Sequence, residues 1–339
     1  MSRLDLVVKS RSVFTGKEFE PASILIADGR IQKIAPLDFA VPGESPCDDY
    51  GSVPILPGLI DTHVHINEPG RTEWEGFASA TKAAAAGGIT TLIDMPLNSI
   101  PSTVTVAALE EKKAAAQDQL YVDCGFYGGL IPGHTRHIEP LVDAGVFGFK
   151  CFLIDSGVQE FPHVRESDLL EGIPLIARSN VPLLAHCELI TENSPLPAQS
   201  GDPGSFLSFL QSRPPALERA AIELMARLSG DFGAAVHVVH LSDANSLDVI
   251  EKARSSGARL TVETCPHYLT LNAEDVPAGN TLYKCTPPIR EKKNQEELWR
   301  GLLSGHIDMV VSDHSPCSLD RKLLPQGDFF RAWGGIGSL

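Results

Sequence analysis

Several protein classes leave marks that this chain lacks, and each absence narrows what it can be. No run of lysine and arginine makes a basic face: 43 acidic residues stand against 28 basic ones, a net charge of −15. That balance argues against a nucleic-acid partner and reads as a solubility term. No CxxC pair occurs among the seven cysteines, at 47, 124, 151, 187, 265, 285 and 317. An odd, scattered set in a chain of this length points to free thiols in a reducing compartment rather than a disulfide framework. No apolar stretch is long enough to span a membrane, and Leu4-Asp5-Leu6-Val7-Val8 is too short and too charged for a secretory leader. The expectations are a cytoplasmic location and no membrane or nucleic-acid partner.

What is present suits one large soluble fold. Hydrophobic residues make up 43% and charged residues 21%, enough apolar surface for a sizeable core and too little charge for disorder. Residues 1–54 carry short alternating apolar stretches, with Asp28-Gly29 as a hairpin signal between Ser23–Ile26 and Ile31–Ile34. They read as a small N-terminal β segment of a sandwich. Residues 55–339 change to alternating strand and helix patterns. Candidate strands are Leu59–Val64, Ile89–Met95, Tyr121–Tyr127, Gly148–Leu153, Pro182–His186, Val236–His240, Leu260–Thr264 and Met309–Ser312. Helical stretches such as Glu75–Ala86, Val104–Ala116, Pro215–Leu228 and Leu247–Ser255 lie between them. Strands separated by helices imply a parallel α/β sheet closed into a (β/α)8 barrel. An open doubly wound sheet would carry a Gly-rich nucleotide loop after its first strand, and none is there. Only a short, Gly-rich tail follows the eighth strand, so the final barrel helix is expected to be missing and the chain to be cut short.

The chemistry gathers at the strand ends. His63 and His65 in Asp61-Thr62-His63-Val64-His65 share one strand face, where two imidazoles can hold a divalent metal such as zinc. Alone, the pair could equally be two hydrogen-bonded histidines near a turn. Three more strands end on Lys150, His186 and His240, and the eighth runs into Asp313. Barrel active sites sit at the C-terminal ends of the strands, so the six groups together define a metal site.

Lys150 ends an apolar strand, where a buried cation would be costly. Either it snorkels to an acid at the rim, or it is carboxylated to an anionic carbamate that bridges two metals. On the second reading four neutral imidazoles, the carbamate and Asp313 offer two negative charges to two dications. A hydroxide bridging metals about 3.5–4 Å apart would then form near neutrality, with Asp313 as general base and then acid. Asp313 as a plain helix N-cap is the bland alternative. His134, His137, His163 and His306 read as loop or helix residues, His237 as core, and His314 as adjacent to the site. His267 is a candidate supporting residue.

These motifs resemble the amidohydrolase superfamily. Pro57-Gly58-Leu59-Ile60-Asp61-Thr62-His63-Val64-His65 is similar to its first-strand signature, and the order Lys150, His186, His240, Asp313 matches the cyclic-amide branch. Within that branch dihydroorotases carry an arginine, two residues after the second histidine, that clamps a carboxylate. Here the position is Asn67, which favours an uncharged ring. Pro69–Phe77, Asp94-Met95-Pro96-Leu97-Asn98-Ser99, Glu263–Tyr268, Lys284–Arg290 and Asp313–Cys317 are similar to allantoinases. The resemblance implies hydrolysis of the allantoin ring and a homotetramer. His63, His65, Lys150 and Asp313 would hold one divalent metal and Lys150, His186 and His240 the other, with zinc the expected ion. Asn98, Cys285 and Ser315 are the candidate ring contacts. Hydantoinase or dihydroorotase activity, or an inactive shortened scaffold, are the alternatives.

Overall fold

Asp28 and Gly29 both adopt left-handed backbone, φ 54° and 67°, as a two-residue hairpin turn requires. They join β2 (Phe19–Ala27) to β3 (Arg30–Pro36) in the computed structural model, which describes residues 4–339. β1 (Leu6–Phe14) pairs antiparallel with β2, and β4 (Cys47–Asp49) runs parallel to β1. The result is one four-stranded sheet in the order β3-β2-β1-β4. It forms a compact unit that ends at Leu59.

The second unit, Ile60–Leu339, contains the barrel. Its strands are β5 (Leu59–Val64), β6 (Ile89–Asp94), β7 (Asp123–Phe126) with its continuation β8 (Gly128–Gly129), β9 (Phe149–Phe152), β10 (Leu183–His186), β11 (Val236–Val238), β12 (Leu260–Thr264) and β13 (Met309–Val310). β5-β6-β7 form one run of neighbours and β8 to β13 the other. The seam between first and last strands is joined by a parallel bridge, Val64 to His314, where the His65 N–H donates to the His314 carbonyl at 2.8 Å. The architecture is a (β/α)8 barrel.

Every residue of β9 and β10 is buried, as expected of parallel strands covered on both faces. Helices α1 (Phe77–Ala86), α2 (Val106–Ala116), α3 (Ile138–Asp143), α4 (Glu166–Ser179), α5 (Phe206–Gln211), α6 (Pro215–Phe232), α7 (Leu247–Ser255), α8 (Pro266–Thr270) and α9 (Lys292–Leu303) separate the strands. The Thr105 hydroxyl caps α2 by accepting the Ala108 N–H at 3.2 Å. α4 holds Pro174 in its interior and is kept in place by burying Leu169, Ile173 and Ile176. Beyond β13 the chain folds back across the barrel mouth. Phe329, fully buried, packs against Phe206 and Phe209, and Lys284 and Lys322 donate to backbone carbonyls of this returning segment.

Candidate metal centre

The strand ends deliver the six sequence-chosen residues to one place. His63 Nε2 lies 3.1 Å and His65 Nε2 3.5 Å from Asp313 Oδ1. Donor atoms of these three residues all fall within 4.8 Å of one another, a spacing that can hold a cation. His186 Nδ1 faces His240 Nε2 at 3.0 Å, and the His186 ring stacks on Phe152. Lys150 Nζ is buried with no hydrogen-bond partner, above the Phe152 ring. His65 Nδ1 and His240 Nδ1 are likewise buried without one. Unpaired polar atoms in a dry interior each cost about 1–3 kcal/mol, so three at one point mark a site arranged for something not made of protein.

Backbone strain accompanies the chemistry. His240, Asp313 and Asn98 adopt left-handed backbone at φ 40°, 46° and 75°, which side-chain-bearing residues seldom do. His240 and Asp313 lie just past their regular strands, which stop at Val238 and Val310, short of the sequence-based ends.

A layer of carboxylates stands behind the imidazoles. Glu263 binds His63 Nδ1 with one oxygen and His237 Nε2, at 2.9 Å, with the other. The His237 ring is completed by Thr261 Oγ1 at 2.7 Å. His237 is thus buried as the sequence suggested, yet it also braces the acid that orients His63. Glu188 binds His186 Nε2 at 2.8 Å and takes Arg213 Nε at 2.9 Å and Nη2 at 2.7 Å. His314 pairs with Glu75, adjacent to the cluster rather than within it. Asp61 ties β5 to the segment just after β13 by accepting the Ser312 N–H, and it also accepts the N–H of His63. An acid two residues beyond His186 was a readable signal for Glu188. Nothing local pointed to Arg213 or to the pairing of Glu263.

The electrostatics follow from burial and these partners. Burial works against charge on His63, but Asp313 and Glu263 outweigh it and raise its pKa to about 9. Burial dominates at His65 and lowers it to about 4, and it holds His186 and His240 below their ordinary value. Burial also lowers Lys150 to about 8, against the pull of Asp313 and Glu263, which makes its amine unusually available. Asp313 stays ionised far below the usual range because His63 and His65 overcome its burial.

The cluster opens into a cavity of about 610 Å³. His65, Lys150, His186, His240 and Asp313 form its floor, and Asn98 and Ser315 reach its wall. The Cys285 side chain is buried behind that wall, and its neighbours Lys284 and Thr286 line it instead. Asn67 is fully buried against the Pro316 carbonyl and does not line the cavity. Four arginines do line it: Arg71, Arg213, Arg321 and Arg331. Glu160 and Glu188 neutralise the first two. Trp74 and Trp333, edge to face at 4.8 Å, form the roof.

This site on this fold is that of a metal-dependent hydrolase, and the chain belongs to the amidohydrolase family, whose model matches residues 55–332. Its relatives narrow the class to allantoinases. It is 48% identical to the mitochondrial allantoinase of Aquarana catesbeiana, over 98% of this chain and 68% of that one. It is also 48% identical to the allantoinase of Streptomyces avermitilis, over its whole length and 75% of the relative. Among solved structures, the L-hydantoinase of Arthrobacter aurescens superposes with a TM-score of 0.89 at 31% identity, covering 99% of this chain and 74% of that one. Family and donor cluster together mark a protein that uses divalent metal. Among the described residues no helix is long and apolar enough to cross a membrane.

Proposed function

We propose that this chain opens the hydantoin ring of allantoin by hydrolysis, giving allantoate. The observation that carries the reading is the convergence of His63, His65, Lys150, His186, His240 and Asp313, several with unpaired buried donor atoms, at the floor of one cavity. Similarity near one half to allantoinases of several organisms supports the choice of ring, as does the burial of Asn67 where a carboxylate-binding arginine would otherwise stand. Hydantoinase activity is the second reading, favoured by the solved neighbours at lower identity.

The donor set fits two dications. His63, His65 and Asp313 would hold one and His186 and His240 the other, with carboxylated Lys150 reaching both. The unpartnered Nζ of Lys150, depressed to about 8 by burial, suits addition to carbon dioxide. Zinc is the ion we expect. When bound, the metals would polarise the ring carbonyl and bring the pKa of water towards neutrality.

The chain's own part is proton traffic and positioning. Asp313 takes a proton from the attacking water as its oxygen bonds to the ring carbonyl carbon. It then returns that proton to the ring nitrogen as the C–N bond breaks, leaving a free ureido group and a carboxylic acid that loses its proton to solvent. Asn98 and Ser315 orient the ring, and the Trp74–Trp333 roof limits water. Seven free thiols suit a reducing compartment. We place the protein in the cytoplasm, as a homotetramer.

The test is allantoin turnover by purified protein supplied with zinc and bicarbonate, beside Asp313→Ala. Allantoate formation that falls at least about 10²-fold in the variant supports the assignment. A folded, metal-loaded protein that ignores allantoin but opens hydantoin or dihydroorotate refutes the choice of substrate.

A further inference from the structure

Beside Asp313 lies a second set of donors that ring opening leaves idle. Cys265 follows β12 directly, and His267 sits in the first turn of α8. Cys265 Sγ, a ring nitrogen of His267 and a carboxylate oxygen of Asp313 all lie within 4.8 Å of one another. Cys265 is fully buried and His267 is 4% exposed. The independent observation is the imidazole itself: neither His267 nitrogen has a hydrogen-bond partner. His63, His186 and His237 each have a carboxylate on one nitrogen, whereas His267 has only the edge of the Tyr268 ring against it. A buried imidazole with both nitrogens idle, next to a thiol and an anion, is a donor without an acceptor.

We propose that Cys265, His267 and Asp313 form a third cation site, selective for borderline or soft dications such as zinc and cadmium, and that filling it inhibits the enzyme. Thiolate, imidazole and carboxylate are all zinc donors, and sulfur disfavours magnesium and calcium, which demand oxygen. On binding, the Cys265 S–H bond breaks, its proton leaves to solvent, and the sulfur lone pair bonds to the cation. Asp313 is common to both donor groups, so a cation here draws on the carboxylate that would carry the proton during ring opening. The inhibition rests on that reading of Asp313; the binding does not.

Cobalt distinguishes the sites, because the main set offers nitrogen and oxygen only. Metal-loaded protein is titrated with cobalt(II) beyond two equivalents per chain while near-ultraviolet absorption and allantoin turnover are followed. The expected result is a thiolate-to-cobalt charge-transfer band that grows in as turnover falls, disappears in Cys265→Ser and is weakened in His267→Gln. Excess magnesium should produce no inhibition. Absence of the band in the unmodified protein at saturating cobalt overturns the proposal, and so does a band that persists in Cys265→Ser. Protein that shows the band but never turns over allantoin would refute the function proposed above and leave this site standing.

Discussion

Replacing Glu188 by glutamine tests whether the acids behind the imidazoles govern metal binding. Glu188 is fully buried and accepts three charge-assisted or polar hydrogen bonds, one from His186 and two from Arg213, all between 2.7 and 2.9 Å. It fixes His186 with a proton on Nε2, and so leaves Nδ1 as a lone-pair donor facing His240. The Glu188→Gln side chain keeps the shape but loses the charge. Its carbonyl can serve one of the three donors, and its amide adds protons where Arg213 already has them. Breaking one partner of a buried ion pair costs about 3–5 kcal/mol of stability, and part of that is paid even by this near-isostere. For metal the expected loss is about 10–100-fold in affinity, equivalent to about 1.4–2.8 kcal/mol. Competition with a chromophoric chelator measures it, and far-ultraviolet circular dichroism checks that the variant is folded. A folded Glu188→Gln protein that binds metal as tightly as the unmodified one would refute the argument, because free rotation of His186 would then carry no penalty.

The same carboxylate predicts an acid-labile contribution to stability. Burial opposes its charge, but Arg213 and then His186 override it and lower Glu188 from 4.5 to about 2. A depressed carboxyl stabilises the fold above its unfolded pKa, and that support is lost as pH falls from about 4.5 towards 2. Denaturant unfolding of metal-free protein at pH 6 and pH 3 should therefore show a drop that Glu188→Gln reduces. An identical drop in both proteins would assign it to other groups. Gly335 tests the returning segment: an added Cβ would lie 2.5 Å from the Ser315 carbonyl oxygen and 2.6 Å from its hydroxyl. Gly335→Ala should displace Ser315 from the cavity wall, raise KM for the ring and cost about 1–3 kcal/mol of stability in a thermal melt. Unchanged KM would remove Ser315 from the ring contacts.

The fold was largely legible because periodicity reports burial, and burial here follows the chain locally. Leu59–Val64, Leu260–Thr264 and Leu247–Ser255 have the bounds their apolar patterns suggest. The pattern overshot at Val236–His240 and Met309–Ser312, where residues keep the order of a strand while the regular pairing ends and the chain leads into left-handed backbone at His240 and Asp313. No hydropathy pattern encodes that sign of φ. The strand-end histidines stood out since each interrupts an apolar run. Their supports did not, because the pairing is made in space. Glu188 follows β10 and Arg213 precedes α6, and only the folding of the long connection between them, α5 included, brings the two together. Cys285 shows the converse: its motif is readable, but packing buries it and leaves it out of the cavity lining.

The electrostatic logic of the site reaches beyond its donor set. Glu188, Glu263 and Asp313 bring three carboxylates into a water-poor interior, and each needs compensation to persist there. Arg213 compensates Glu188, while Glu263 and Asp313 share His63. Lys150 supplies a further positive charge nearby, but without a hydrogen bond to hold it. Carboxylated as proposed above, Lys150 would trade that cation for an anion and leave more negative charge at this point than Arg213 and His63 neutralise. Strained backbone at His240 and Asp313 adds to that cost rather than relieving it. Such an arrangement is sustained by the mass of the barrel around it, and what would relieve it is dense positive charge at that point. Bound divalent metal supplies that where a substrate carbonyl or a single proton cannot.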